Sequence, residues 1–181
     1  MTFEQAKNKL ASNNNVKTVG LANVTSGAGG DDFITGETVI KFTQDSLTGY
    51  ADKTMPKAIY VLAQRCTVDD KNKVTETNDV VQVYLSMFDR VATPYREIVE
   101  DGVVTGVERD GDPIRAEGDV IKDWKAAANA NAFIQACIAA NKYIKFSVKA
   151  KVSVRKWDRK AEDWSTTELR EQKVFNANYV G

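Results

Sequence analysis

Histidine is absent from the 181 residues. That absence removes the Ser-His-Asp and Cys-His nucleophile systems and every zinc site that needs an imidazole. Cysteine occurs twice, at Cys66 and Cys137, in no metal-ligand spacing. Cys66 falls in a strand-like run and Cys137 in a helix-like one, so both read as buried free thiols. No apolar run approaches the roughly 18 residues that span a bilayer. The opening MTFEQAKNKL is polar and amphipathic, unlike a signal peptide. No contact with a membrane is expected. Neither charge is in excess, with 25 basic and 25 acidic residues. Any electrostatic function must therefore come from local segregation of charge. Internal repeats and low-complexity segments are also missing.

What these absences leave for catalysis is carboxylate or lysine chemistry. Asp31-Asp32, Glu97, Glu100-Asp101, Asp110 and Asp112 supply carboxylates, but none has a recognisable catalytic neighbour. The run ERDGDP lacks the spaced ligands and closing Glu of a calcium loop. The glycine-rich TSGAGG is followed by Asp31-Asp32 and not by the Gly-Lys-Ser/Thr of a phosphate loop, so it reads as a connector. The expectation is a chain that is not an enzyme and holds no metal or cofactor.

What is present is an ordinary globular composition, 43% hydrophobic and 28% charged. The length suits one domain over 1–181. Residues 1–30 read as an N-terminal helix and extension. Thr2 and Gln5 match a capping box for a helix over 3–12. Strand-like runs follow at 16–24, 33–43, 58–68 and 80–88, the last two as a long hairpin. Residues 89–119 hold nine acidic and four basic residues. They read as an inserted acidic hairpin or loop, with a two-residue turn at Asp101-Gly102. From Asp119 the period changes to three and four, which predicts one amphipathic helix over 120–140, ended by Asn141 in a left-handed conformation. Strands at 143–157 and 164–180 close the chain around a polar turn, DRKAED. The predicted class is mainly β, a barrel of OB type or a sandwich, with one central helix and a short N-terminal one.

The stretch 142–160 concentrates charge, with eight basic residues and one acid. Alternation along a strand puts Ile144, Phe146, Val148, Ala150, Val152 and Val154 on one face, as core. It puts Tyr143, Lys145, Ser147, Lys149, Lys151, Ser153, Arg155 and Trp157 on the other. Glu168 and Glu171 on the next strand are available to neutralise that row. A basic track with aromatic platforms also suits single-stranded nucleic acid, because phosphates need charge and bases need a π-face. On that reading Lys145, Lys149, Lys151 and Arg155 meet phosphates, and Tyr143 and Trp157 stack bases. Trp164 projects near the turn, and Tyr60 and Tyr84 add platforms if their strands lie alongside. The pair Lys149→Glu and Lys151→Glu is then expected to abolish binding and leave the fold intact.

The order of elements over 58–88 and 120–180 resembles the bacterial and phage-type single-stranded DNA-binding proteins with an OB fold. The resemblance lies chiefly in Arg155-Lys156-Trp157 and Thr166-Thr167-Glu168, within VSVRKWDRKAEDWSTTELREQKVF, and in the long hairpin before the helix. It implies non-catalytic binding of single-stranded DNA or RNA in the cytoplasm, that of the host if the chain is viral. The alternative is a structural or assembly protein of a phage particle, a capsid or tail accessory protein in the virion. The same face would then meet copies of the chain in a homo-oligomer, or other virion subunits.

Overall fold

The structure, a computed structural model, describes residues 1–12, 17–21, 24–25, 34, 36–47, 58–86 and 91–180. The TSGAGG connector beyond Thr25, Asp31-Asp32 and Phe33 lie outside the described residues. The chain is mainly β, and its centre is a seven-stranded sheet. In chain order the strands are β1 (Thr18–Leu21), β2 (Val24–Thr25), β3 (Thr38–Lys41), β4 (Ala58–Val68) and β5 (Val74–Ser86). The acidic region adds β6 (Val91–Ala92), β7 (Tyr95–Glu100), β8 (Val103–Arg109) and β9 (Ile114–Arg115). Two long strands finish the chain, β10 (Tyr143–Asp158) and β11 (Asp163–Val180).

The sheet order is β1-β5-β4-β3-β10-β11-β2, antiparallel throughout except for β1 beside β5. The strand read at 16–24 is thus two short pieces on opposite edges of one sheet. Leu21 and Val24 are three residues apart, so those two edges lie within about 11 Å of each other. The sheet is curled towards a barrel, but no ladder closes it among the described residues.

Local chemistry builds the helices. Thr2 and Gln5 form the expected reciprocal cap, with the Gln5 amide donating to Thr2 Oγ1 at 3.2 Å and the Thr2 amide to Gln5 Oε1 at 2.9 Å. They start α1, Phe3–Ala11. The single helix expected over 120–140 is two, α2 (Asp119–Ala126) and α3 (Ala130–Ala139). Ala127 turns extended, and the Asn129 side chain accepts from the Ala132 amide at 2.8 Å, capping a new helix. An Asn offers the backbone this alternative wherever it falls inside a helical pattern. Replacing that cap, Asn129→Ala, is expected to lower stability by about 1 kcal/mol. The check is a lower urea midpoint with an unchanged m-value. Asn141 ends α3 with φ 53°, as its type favours.

The two helices cover one face of the sheet. Trp124 and Phe133 meet edge to face at 5.3 Å over a floor that includes Ile40, Val61, Val83, Ile144 and Phe146. On the opposite face α1 contributes Ala6, with Phe3, against Leu62 and Val80. Cys66 and Cys137 are both free and buried, and burial pushes each thiol up to about 11. Protonated thiols are poor nucleophiles and poor metal ligands.

The acidic region is two small ribbons. β6 pairs with β9, and β7 with β8 around Asp101-Gly102. Both turn residues have positive φ, 51° and 76°, the geometry a two-residue hairpin requires.

Candidate nucleic-acid interface

β10 and β11 pair along nearly their whole length, and the register decides what the basic row can do. Directly opposed residues of a ladder share a face. Lys145 opposes Asn178 and Ser147 opposes Asn176, while Lys151 opposes Lys173, Ser153 opposes Glu171 and Arg155 opposes Leu169. The first partners are even-numbered along β11 and the second odd-numbered, so the two halves of the row project to opposite faces. The cause is one extra β10 residue between Val148 and Ala150. A bulge sets two residues of one strand against one of its neighbour and reverses the alternation beyond it. The single continuous face expected from the sequence does not exist.

The apolar residues reverse with it. Ile144 and Phe146 pack under the helices, whereas Val152 and Val154 line grooves shared with Ile114 and Val91 of the acidic region. Val148, at the crossover, is 39% exposed and is no core residue.

The inner half of the row is matched by carboxylates from distant segments. Glu76 accepts from Lys41 at 2.7 Å and from the Tyr143 hydroxyl at 3.0 Å. The Lys41 hydrogen bond first, and that of Tyr143 second, hold the Glu76 carboxyl below its ordinary range. Lys145 meets Glu37 at 3.1 Å. Lys149 meets Glu117 at 3.2 Å and donates to the Arg115 carbonyl at 3.0 Å. Lys149 therefore ties the acidic region to the sheet, and reversing its charge would not leave the fold untouched. Of the two expected neutralisers, Glu168 pairs with Lys156 at 3.5 Å and Glu171 makes no ion pair among the described residues. Lys151 also has no ion pair among them.

The outer half is different. Trp157 and Trp164 are cross-strand partners beside the terminal turn, edge to face at 5.2 Å. They remain 46% and 42% exposed. The Arg155 guanidinium lies 4.7 Å from the Trp164 ring centre and 4.8 Å from that of Tyr95 on β7. Contact with two rings restrains the guanidinium while leaving its charge and its donors available to a ligand. The structure thus joins Arg155, Trp157 and Trp164 and sets Tyr143 and Lys145 far from them, about 45 Å away along the strand at its far limit. Tyr60 and Tyr84 pair with each other at 4.8 Å on β4 and β5, separated from β10 by β3.

Tyr95 was not visible as a site residue, because nothing in an acidic hairpin signals that its first residue lies on a remote arginine. Among the described residues no three Cys, Asp or Glu side chains converge as metal ligands would. None of their helices is long and apolar enough to cross a membrane. No protein family, curated protein or solved structure matches the chain.

Proposed function

We propose that the chain is a non-catalytic protein that binds single-stranded DNA or RNA through the outer end of the β10–β11 ribbon. The observation that carries this reading is the stack of Tyr95, Arg155 and Trp164 with Trp157 against its edge. Two half-exposed indoles side by side form an apolar patch of the kind that contacts a partner. Beside a fixed guanidinium they offer what an unpaired strand needs, π-faces for bases and N–H donors for phosphate. The binding residues are then Arg155, Trp157 and Trp164, with Lys151 as a further cation. Tyr143, Lys145 and Lys149 serve the sheet. The setting that suits this activity is the cytoplasm, that of the host for a viral chain.

The test is tryptophan fluorescence during titration with oligothymidine. Binding is expected to quench the signal and to weaken steeply with salt, because phosphate neutralisation releases counterions. No quench at low salt and micromolar protein would sink the reading.

A second reading, subunit contact within a phage particle, is favoured by a different observation. β3 pairs with β10 only from Ile144 to Phe146. Beyond Phe146 that edge of β10 has no ladder partner among the described residues, and an open edge is a template for another chain's strand. Sedimentation separates the two readings: concentration-dependent assembly without nucleic acid supports the second.

A further inference from the structure

Tyr95, Arg155, Trp164, Arg170 and Gln172 line a pocket of about 170 Å³, with Thr93 at its side. No carboxylate belongs to its wall. Arg170 stands directly opposite Val154, one ladder step from Arg155. Its Nε is buried and has no hydrogen-bond partner among the described residues. The Arg155 guanidinium lies over two rings, those of Tyr95 and Trp164, and has no hydrogen bond to a described residue. Neither arginine has an ion pair among the described residues.

The lack of an ion pair is common among this chain's cations, as at Lys151. What sets Arg170 apart is a buried donor without a partner, which no other described Lys or Arg has. A native fold seldom leaves a buried donor orphaned, and where it does the missing partner is commonly a water or an ion. Arg155 and Arg170 leave successive ladder positions and both line this one small cavity, and two like charges brought together are favoured when an anion lies between them. Arginine presents a planar fork that matches a tetrahedral oxyanion, two N–H groups to two oxygens.

We infer that this pocket is an oxyanion site of phosphate class, held by the guanidinium groups of Arg170 and Arg155, with Gln172 and Thr93 as neutral hydrogen-bonding neighbours. Its wall holds no acid, and a phosphodiester needs no proton to enter it. Placing a backbone phosphate there, beside a base on Trp157 or Trp164, rests on the single-strand reading. Binding of an oxyanion does not.

The experiment has two arms and uses the full chain, with Arg170→Met and Arg170→Lys. In the first, thermal unfolding is followed in inorganic phosphate and in chloride at matched ionic strength. Phosphate stabilises most folds weakly by exclusion, so the signal is the difference between proteins. Wild type is expected to gain several degrees more than Arg170→Met, with Arg170→Lys between them. In the second arm, oligothymidine affinity is measured across a salt series. Arg170→Met is expected to bind about tenfold more weakly, with the slope of log K against log salt reduced by about 0.7, one phosphate contact on a single strand. Arg170→Lys keeps the slope and loses affinity.

An equal phosphate response in wild type and Arg170→Met overturns the site. If wild type binds the oligomer and Arg170→Met matches it in affinity and slope, the pocket is overturned and the single-strand reading survives. If the phosphate difference is present while wild type ignores the oligomer, the oxyanion site stands and the single-strand reading fails. Should Arg170→Met not fold, Arg155→Met carries the same comparisons.

Discussion

Gly118→Ala is expected to leave the protein unfolded in urea concentrations that wild type tolerates. Gly118 sits at φ 132°, a conformation that L side chains rarely adopt. A Cβ there would be driven into the Ala177 carbonyl oxygen, with the carbonyl carbon at 2.8 Å and Asn178 Oδ1 at 2.9 Å. The obstacle is mostly backbone, so it cannot swing aside. The residues on either side are fastened to the same strand. The Ala177 amide donates to the Glu117 carbonyl at 3.0 Å, and the Glu117 amide to Asn176 Oδ1 at 2.9 Å. The Asp119 amide donates to Asn178 Oδ1 at 3.2 Å, and the Tyr179 amide to Asp119 Oδ1 at 3.0 Å. To admit one methyl group the strip must lift from β11 and give up several of these bonds together. A loss of about 4 kcal/mol follows, at the upper end for single substitutions, against a total stability of about 5–15 kcal/mol. Gly111→Ala is the control. Gly111 also has positive φ, 113°, but its Cβ would meet nothing closer than Pro94 Cγ at 3.9 Å. It bears the conformational strain alone, about 1 kcal/mol. Equal urea midpoints for the two variants would show that the strip over 117–119 is not seated on β11 as described.

The features that proved legible in the sequence are those set by neighbours in the chain. The Thr2–Gln5 cap, the Asp101–Gly102 turn and the left-handed Asn141 each depend on a few consecutive residues, and each is present. The mainly β class follows from many alternating runs, which no long-range detail could disguise. Alternation in 143–157 was also real, but it does not report which way a face points. The bulge after Val148 reverses the strand in space, yet even-numbered residues stay apolar because the buried side changes with it. One half is covered by the helices and the other by the acidic region. A sequence records that each half has a core face and not that the two faces point to opposite sides of the ribbon.

The same limit applies to charge. Glu168 and Glu171 looked like neutralisers because they are close in the chain. The carboxylates that meet Tyr143, Lys145 and Lys149 are Glu76, Glu37 and Glu117, brought in by three other segments. What survives as unmatched is set by subtraction after folding. That is why Arg170, an unremarkable residue of an alternating strand, becomes notable only once its surroundings are known.

Trp164→Ala is expected to be the most damaging single change for binding of oligothymidine. Trp164 has two tasks. Its ring is one side of the stack that orients Arg155, at 4.7 Å, and it meets Trp157 edge to face at 5.2 Å and 86°. A stacking platform contributes about 1–3 kcal/mol per base. The loss of orientation at Arg155 adds to that, so affinity is expected to fall by about a hundredfold, or roughly 2.7 kcal/mol. Trp157→Ala removes a platform and leaves the Tyr95–Arg155–Trp164 stack standing, so about tenfold is expected, near 1.4 kcal/mol. Because the two rings touch, the double variant is expected to lose less than the sum. Its salt slope stays that of wild type, since no cation has been removed. Fluorescence identifies the reporter as well. Trp124 is 1% exposed in the core, so it cannot contact an oligomer and is the only indole left in the double variant. That variant is therefore expected to show no quench at any oligomer concentration while its circular dichroism remains native. A quench that persists would place the oligomer elsewhere on the molecule, and unchanged affinity in Trp164→Ala would remove the aromatic stack from the binding site.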